Sequence, residues 1–135
     1  MPLDGDIAVI ASGAGLGMAT LDMLMRRNLQ PANFLDTGGG ITATQVQGAL
    51  ELVMDQQHIR GAIVNLYGGI NRMLEAAKGI LAAKQNLSGH RPIVVKILGN
   101  QQEEAWAMLE SKPDVYPVCV VQTEAAVDKL ASLLG

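Results

Sequence analysis

Three glycine-rich loops are the segments of this sequence that could do chemistry. They are SGAGLG at residues 12–17, DTGGGIT at residues 36–42 and YGGI at residues 67–70. Each loop follows a short apolar run and precedes a segment with helical periodicity. A helix N-terminus exposes unpaired backbone N–H groups and the positive end of the helix dipole, and glycine lets a ligand approach that backbone closely. The loops therefore predict the binding of an anion, such as a carboxylate or a phosphate.

The glycines of these loops are the candidate anion-binding residues. They are Gly13, Gly15, Gly38, Gly39, Gly40 and Gly68. A single glycine loop after a strand is often only a tight turn. Three such loops at the same edge of one sheet favour an anion or carboxylate site instead.

The first loop also invites a dinucleotide-binding interpretation. It follows the first predicted strand, and Asp36 ends the second at about the distance expected of a ribose-binding acid. The fingerprint requires G-x-G-x-x-G, whereas Gly13, Gly15 and Gly17 give G-x-G-x-G, with Met18 where the last glycine is needed. A dinucleotide-dependent oxidoreductase is therefore only a distant alternative.

Reactive side chains are sparse. His58 and His90 lie in polar stretches and are predicted to be surface residues, and Cys119 is predicted to be a buried apolar residue of the last strand. Lys96, at the end of the fourth predicted strand, could help to hold an anion, but a solvated strand end is the favoured interpretation. Trp106 is expected to pack. No catalytic residue and no metal site is predicted in this chain.

Composition limits the classes of partner. The 135 residues fit one domain, residues 1–135, with residues 1–6 as a residual linker. Ten lysines and arginines against 13 aspartates and glutamates leave no basic surplus, so neither nucleic acid nor a membrane is an expected partner. The single cysteine favours a reducing compartment, the cytoplasm or the mitochondrial matrix if the source is eukaryotic.

Five short apolar runs alternate with helical segments and must position the loops. The runs are residues 7–11, 33–35, 62–66, 93–97 and 115–121. Near-continuous apolar runs are typical of strands covered on both faces. The pattern predicts an α/β, flavodoxin-like three-layer sandwich with a five-stranded parallel sheet of order 2-1-3-4-5. In such a sheet, ligands bind where the strand order reverses, here between strands 1 and 3.

Two helix starts and one helix surface can also be predicted. Thr42 and Gln45 form a capping-box pattern before the second helix, and Thr123 is a natural N-cap for the fifth. In the first helix, Asp22 and Arg26 occupy one narrow polar sector, whereas leucines and methionines cover most of the remainder. With 49% hydrophobic residues overall, this excess favours either a partner surface or a helix beneath a neighbouring loop.

Four segments together resemble a known family. They are LDGDIAVIASGAGLGMATLDML, PANFLDTGGGIT, GAIVNLYGGINR and VVKILGN. In order and spacing they are similar to the carboxy-terminal CoA-ligase domain of the succinate–CoA ligase (succinyl-CoA synthetase) beta subunit, and related citrate and malate CoA ligases carry similar domains. The resemblance covers nearly the whole chain.

The resemblance implies a division of labour. A separate alpha subunit would bind CoA and carry a histidine that becomes phosphorylated, and an ATP-grasp domain would hold ATP or GTP with magnesium. This chain would bind no cofactor of its own. Its stretch Gly69, Ile70 and Asn71, together with Ser12, would bind a small dicarboxylic acid, at a helix that begins in that loop and faces the phosphohistidine.

The sequence also departs from the family pattern. Ser12 replaces the usual Asn, Asn71 replaces an apolar residue, and Leu98 replaces an acidic one. Asn71 could meet an extra hydroxyl, as a malate-type acid requires, or could cap the helix. The acid is therefore open, and a non-catalytic carboxylate-binding or regulatory module is the alternative function.

The 135 residues contain no ATP-grasp domain and no phosphohistidine segment. The chain is therefore expected to be either an excised domain or a free-standing subunit that assembles with others. We expect the chain alone to have no ligase turnover.

Overall fold

A five-stranded, all-parallel sheet with the order β2-β1-β3-β4-β5 forms the centre of the fold. The computed structural model describes residues 5–37, 42–56, 58–87, 89, 91–100, 102–119 and 122–134, with only the backbone described at residues 67–72 and 100. Strands and helices alternate along the chain: β1 (Ile7–Ala11), α1 (Ala14–Arg26), β2 (Leu35–Asp36), α2 (Ala43–Val53), β3 (Gly61–Arg72), α3 (Met73–Asn86), β4 (Ile93–Asn100), α4 (Gln102–Glu110), β5 (Val115–Pro117) and α5 (Thr123–Leu134). The predicted architecture and strand order are confirmed.

The strand boundaries differ from the apolar runs at the carboxyl ends. β3 and β4 continue beyond their apolar runs because their backbones remain paired, Tyr67 with Leu98 and Gly68 with Gly99. β5 is shorter than predicted and ends at Pro117, which has no N–H to donate to a ladder. Hydrogen bonding thus decides the strand ends.

Two apolar layers cover the sheet. Alternate residues of β3, such as Val64 and Leu66, pack with α2, α3 and α4, whereas Ile63 packs on the opposite face with α1 and α5. Strands β1, β3 and β4 are buried along their central residues on both faces, which explains their near-continuous apolar sequences.

The helix starts show which side chains cap them. Thr42 and Gln45 form the predicted capping box, since the Thr42 hydroxyl accepts from the Gln45 N–H at 3.2 Å and the Gln45 side chain accepts from the Thr42 N–H at 3.1 Å. The prediction for Thr123 was wrong. It is the first residue of α5, and its hydroxyl accepts a hydrogen bond from Asn65 instead.

Candidate functional site

The carboxyl edge of β1 and β3 is where the strand order reverses. At this edge the Ser12 N–H donates to the Asn65 carbonyl at 3.1 Å, so the first glycine loop leaves the sheet directly beside β3. Gly13 follows with a φ of 92°, a conformation that favours glycine. Ser12 and Gly13 are both partly exposed. The fold therefore places the first loop at the predicted ligand-binding edge.

The N-terminus of α1 has no side-chain cap. Its N-cap residue is Gly13, which carries no side chain to accept from the first-turn amides. The Gly13 N–H donates to Asp36 Oδ1 at 2.9 Å, which ties this loop to the end of β2. A Cβ added at Gly15 would meet no atom within 4 Å, so the space beside the first turn is open. This arrangement can receive an anion on backbone N–H groups.

The end of β3 differs from the prediction. Gly69, Ile70 and Asn71 belong to β3 rather than to the start of a helix, and α3 begins at Met73. The pairing with β4 keeps the chain extended as far as Gly68, and the register shifts between Gly68 and Arg72. The predicted acid-binding residues therefore lie in an irregular strand end that precedes the helix, so the prediction of a helix start in that loop was wrong.

Of the remaining candidate glycines, Gly38, Gly39 and Gly40 lie outside the described residues. Gly68 is placed beside Gly99 in the sheet. Gly68 belongs to β3, and Ser12 and Gly13 directly follow the neighbouring strand β1. The structure thus brings the first and third loops to the same edge.

A buried polar cluster lies between the sheet and the helices α1 and α5. We call it the Asn65 cluster, and its members are Thr20, Asn65, Lys96 and Thr123. Asn65 is fully buried, and its side-chain N–H groups donate to the Thr20 hydroxyl at 3.0 Å and the Thr123 hydroxyl at 3.2 Å. Its side-chain oxygen accepts from Lys96 Nζ at 3.3 Å. Asn65 thereby joins two strands and two helices.

Lys96 is not the solvated strand end that the sequence favoured. It is only 3% exposed, because β4 continues to Asn100 and leaves Lys96 within the covered part of the strand. Desolvation lowers the pKa of its ammonium below the usual value, and the negative charge of Glu124 opposes that shift. The signal in the sequence was a polar residue interrupting each of two apolar strands, Asn65 in β3 and Lys96 in β4.

Other side chains have the following positions. His58 is exposed as predicted, and Trp106 is partly buried and donates its Nε1–H to the Ile97 carbonyl at 3.0 Å.

The prediction for Cys119 was wrong, because β5 ends at Pro117 and leaves the thiol exposed. Desolvation and then the Glu110 carboxylate raise the pKa of the Cys119 thiol, which disfavours the reactive thiolate.

The described part of the chain contains no cluster of three or more histidine, cysteine, aspartate or glutamate residues that could hold a metal ion. None of its helices has the length and apolar character needed to cross a membrane. His90 lies outside the described residues.

The outer face of α1 carries exposed methionines. Met18 is 59% exposed and Met25 49%, whereas Leu21 and Leu24 are buried against the sheet. Asp22 and Arg26 form an ion pair of 2.8 Å on the exposed side. The excess of apolar residues on this helix is therefore at the surface, and its role in binding a partner stays a prediction.

Known proteins that this chain resembles in sequence are CoA ligases. Residues 10–118 match the CoA-ligase family. The chain is 42% identical over 126 residues to the succinate–CoA ligase [GDP-forming] subunit beta of Thermus thermophilus, which covers 93% of this chain and 33% of the relative. It is 45% identical over 107 residues to the succinate–CoA ligase [ADP-forming] subunit beta of Desulfurococcus amylolyticus, covering 79% of this chain and 28% of the relative. The chain thus spans about a third of the length of these relatives.

The fold also occurs in solved structures. A crystal structure of a Pyrococcus horikoshii protein superposes with a TM-score of 0.80 over 99% of this chain and 36% of that one. The sequence identity of that pair is 17%, so the similarity concerns the fold alone.

Proposed function

The chain belongs to the CoA-ligase family, and from this premise we propose that it is the acid- and phosphate-holding part of an acid–CoA ligase beta subunit, of the succinate–CoA ligase type. The reaction of the assembled enzyme would be acid + CoA + NTP giving acyl-CoA + NDP + phosphate. The relatives of known name in the comparison are beta subunits of this kind, which supports the proposal.

One observation carries the proposal. At the point where the strand order reverses, α1 begins at Ala14 after the N-cap residue Gly13, without a side-chain cap and beside the open space at Gly15. Backbone N–H groups at a helix N-terminus bind carboxylates and phosphates without any reactive side chain. Such groups also cost no reorganisation when charge develops on a bound oxygen. The edge is therefore suited to holding an anion for chemistry that other groups perform.

The acid would lie on the loop at the end of β3. We assign the binding of its carboxylate to the backbone of Gly69 and Ile70, with Ser12 opposite on the first loop. The register shift between Gly68 and Arg72 supports this assignment, because backbone N–H groups in an irregular strand end are not all committed to the sheet. Asn71 adds a side-chain amide, and we expect it to favour an acid with a hydroxyl, such as malate.

The remaining chemistry would belong to partners. We assign CoA binding and the phosphorylated histidine to an alpha subunit, and the binding of ATP or GTP with magnesium to an ATP-grasp domain. This chain would orient the acid and hold phosphate near that histidine. We therefore expect no formation of acyl-CoA when the chain alone is mixed with acid, CoA, ATP and magnesium.

A second candidate is a non-catalytic module that binds a carboxylate and regulates a ligase. The backbone N–H donors that we assign to this edge could bind a carboxylate without taking part in catalysis, which would suit such a module. The two candidates differ in genetic context. An ATP-grasp domain encoded upstream in the same frame, or in a neighbouring gene, would favour the ligase.

The proposal can be tested by calorimetric titration of succinate, malate, citrate and phosphate. The chain would be titrated alone and with a CoA-binding alpha subunit, and we expect weak or undetectable acid binding alone because the site is shared. Gly69→Val should abolish acid binding in the assembled complex, because a branched side chain would fill the space beside the backbone amides. Gly48→Val is the matched control, because a Cβ at Gly48, on the exposed face of α2, meets no atom within 4 Å. Unchanged affinity in Gly69→Val would contradict the assignment.

A further inference from the structure

Lys96 is a buried cation that forms no direct ion pair with any residue that the structure describes, although the negative charge of Glu124 acts on it. Its Nζ donates to Asn65 Oδ1 at 3.3 Å, and none of the ion pairs in the described part of the chain includes it. An ammonium carries three donors, and this hydrogen bond to a neutral amide uses one of them. Buried charges in proteins are normally paired, because removing a charge from water is costly. Lys96 therefore requires an explanation.

The position of Lys96 relates it to the proposed site. Ala11, Asn65 and Lys96 are paired across β1, β3 and β4 and form one row of the sheet. Ser12 follows Ala11 by one residue, a rise of about 3.3 Å along the strand. The Ser12 N–H donates to the carbonyl of the same Asn65 whose side chain accepts from Lys96. Lys96 thus belongs to the row of paired residues that the first glycine loop directly follows.

The local dipoles increase the positive potential there. Thr123, which shares Asn65 as a hydrogen-bond partner, is the first residue of α5, so the positive end of that helix lies beside the Asn65 cluster. The uncapped N-terminus of α1 begins at the same edge. Two helix N-termini and an ammonium of the same sign repel one another in a region of low dielectric constant. The carboxylates of Asp36 and Glu124 offset part of this repulsion, and a bound anion would reduce it further.

We propose that Lys96 is the positioning residue that supplies the fixed positive charge for the anion held at this edge. The inference rests on the proposed function and deepens it, because it names the charged group that strengthens anion binding at the site. Asn65 fixes the ammonium, and the loop backbone at Ser12 and Gly13 makes the direct contacts. Burial lowers the pKa of the Lys96 ammonium, and an anion bound beside it would, like Glu124, oppose that shift.

A purely structural lysine predicts different behaviour. If Lys96 served only to satisfy Asn65, replacing it would lower stability and leave anion affinity unchanged. If it supplies the charge of the site, replacing it with a neutral side chain of similar length lowers anion affinity, even where stability is retained. Thr20→Val is the matched control, because it removes a hydrogen bond of the same cluster without changing any charge.

The experiment uses the full chain and inorganic phosphate. Phosphate is titrated while the backbone amide signals of Ser12 and Gly13 are followed by NMR. We expect saturable shifts in the unmodified chain and an affinity about ten-fold weaker in Lys96→Met. Lys96→Arg retains the charge and should stay within about three-fold of the unmodified chain. Thr20→Val should bind phosphate with unchanged affinity, although it is less stable.

Three results would overturn the proposal: no saturable shift in the unmodified chain, equal affinity in Lys96→Met, or an equal loss in Thr20→Val. This experiment and the test of the proposed function can fail independently of each other. If the Lys96 variants behave as expected while Gly69→Val leaves succinate binding in the assembled complex unchanged, the role of Lys96 stands and the assignment of the acid loop falls.

Discussion

Gly13 donates its backbone N–H to the carboxylate of Asp36 at 2.9 Å, so an acidic side chain from the end of β2 lies against the N-terminus of α1. A carboxylate at this position stabilises the helix through its dipole. It also places a negative charge beside the edge that we propose binds anions. Asp36 therefore has two opposing effects, one on stability and one on ligand binding.

Replacing Asp36 with Asn should separate these effects. Asp36→Asn keeps an oxygen that can accept from Gly13 but removes the charge, so the free energy of unfolding should fall by only about 0.5 kcal/mol. Affinity for inorganic phosphate should rise by about three-fold, because a like charge is removed. Urea denaturation and calorimetry measure the two effects. Asp22→Asn, farther along α1, should leave phosphate affinity unchanged, and weaker binding by Asp36→Asn would show that this carboxylate helps to shape the loop.

The Asn65 cluster should show strong coupling between its members. Asn65→Leu leaves the buried Lys96 ammonium without an acceptor and two hydroxyls without a donor, so we expect a loss of about 3 kcal/mol in the free energy of unfolding. In a Lys96→Met background the same substitution should cost about 1–2 kcal/mol less, because no buried charge is left unpaired. A double-mutant cycle in urea measures this difference. Additive effects would mean that the 3.3 Å contact contributes little.

The strand order and most elements could be predicted from periodicity, since apolar runs and helical segments alternate strictly. The end of β3 could not. Two adjacent glycines are typical of a turn, but they can equally remain extended, and whether they do depends on the pairing of Gly68 with Gly99 in another strand. The end of β5 has a different origin, because Pro117 has no N–H to donate and is visible in the sequence itself.

The glycine backbone of the candidate site could be predicted from the sequence, but the buried charge of Lys96 could not. The glycines of the first loop were visible as a pattern, and the structure has them at the sheet edge that the topology predicted. Lys96 was assigned to solvent because a short apolar run ends just beyond it in the sequence. Its burial follows from the continuation of β4, which is paired with β3, and from α5, and both partners are distant from position 96 in the sequence.

Two helical glycines provide a test of packing between α2 and α3. A Cβ at Gly79 would lie 2.4 Å from the Ala43 carbonyl oxygen and 2.8 Å from Val46 Cβ, so Gly79→Ala must separate the helices. We expect a loss of about 2–3 kcal/mol in the free energy of unfolding. Gly48→Ala meets no atom and should gain about 0.5–1 kcal/mol from higher helix propensity. Thermal and urea denaturation compare them, and equal effects of both substitutions would contradict the close contact.

The buried ammonium of Lys96 should make stability depend on pH in the alkaline range. Its pKa in the folded chain is lower than its ordinary value of 10.5, which applies to the unfolded chain. Between these two pKa values the unfolded chain binds the proton and the folded chain does not, so stability rises as pH increases through this window. Below the folded pKa both states are protonated, and the full cost of burying the charge remains. Glu124 opposes the shift, so Glu124→Gln should widen the window.

Comparison with Lys96→Met isolates this effect from the titration of other lysines and tyrosines. The free energy of unfolding of both proteins would be measured by urea denaturation from neutral pH to about pH 10. The stability of Lys96→Met relative to the unmodified chain should be greatest at neutral pH and should decrease steadily as pH rises. Saturating phosphate should shift the decrease to higher pH, because an anion beside the ammonium raises its pKa. Parallel curves for the two proteins would show that Lys96 keeps an ordinary pKa in the folded chain.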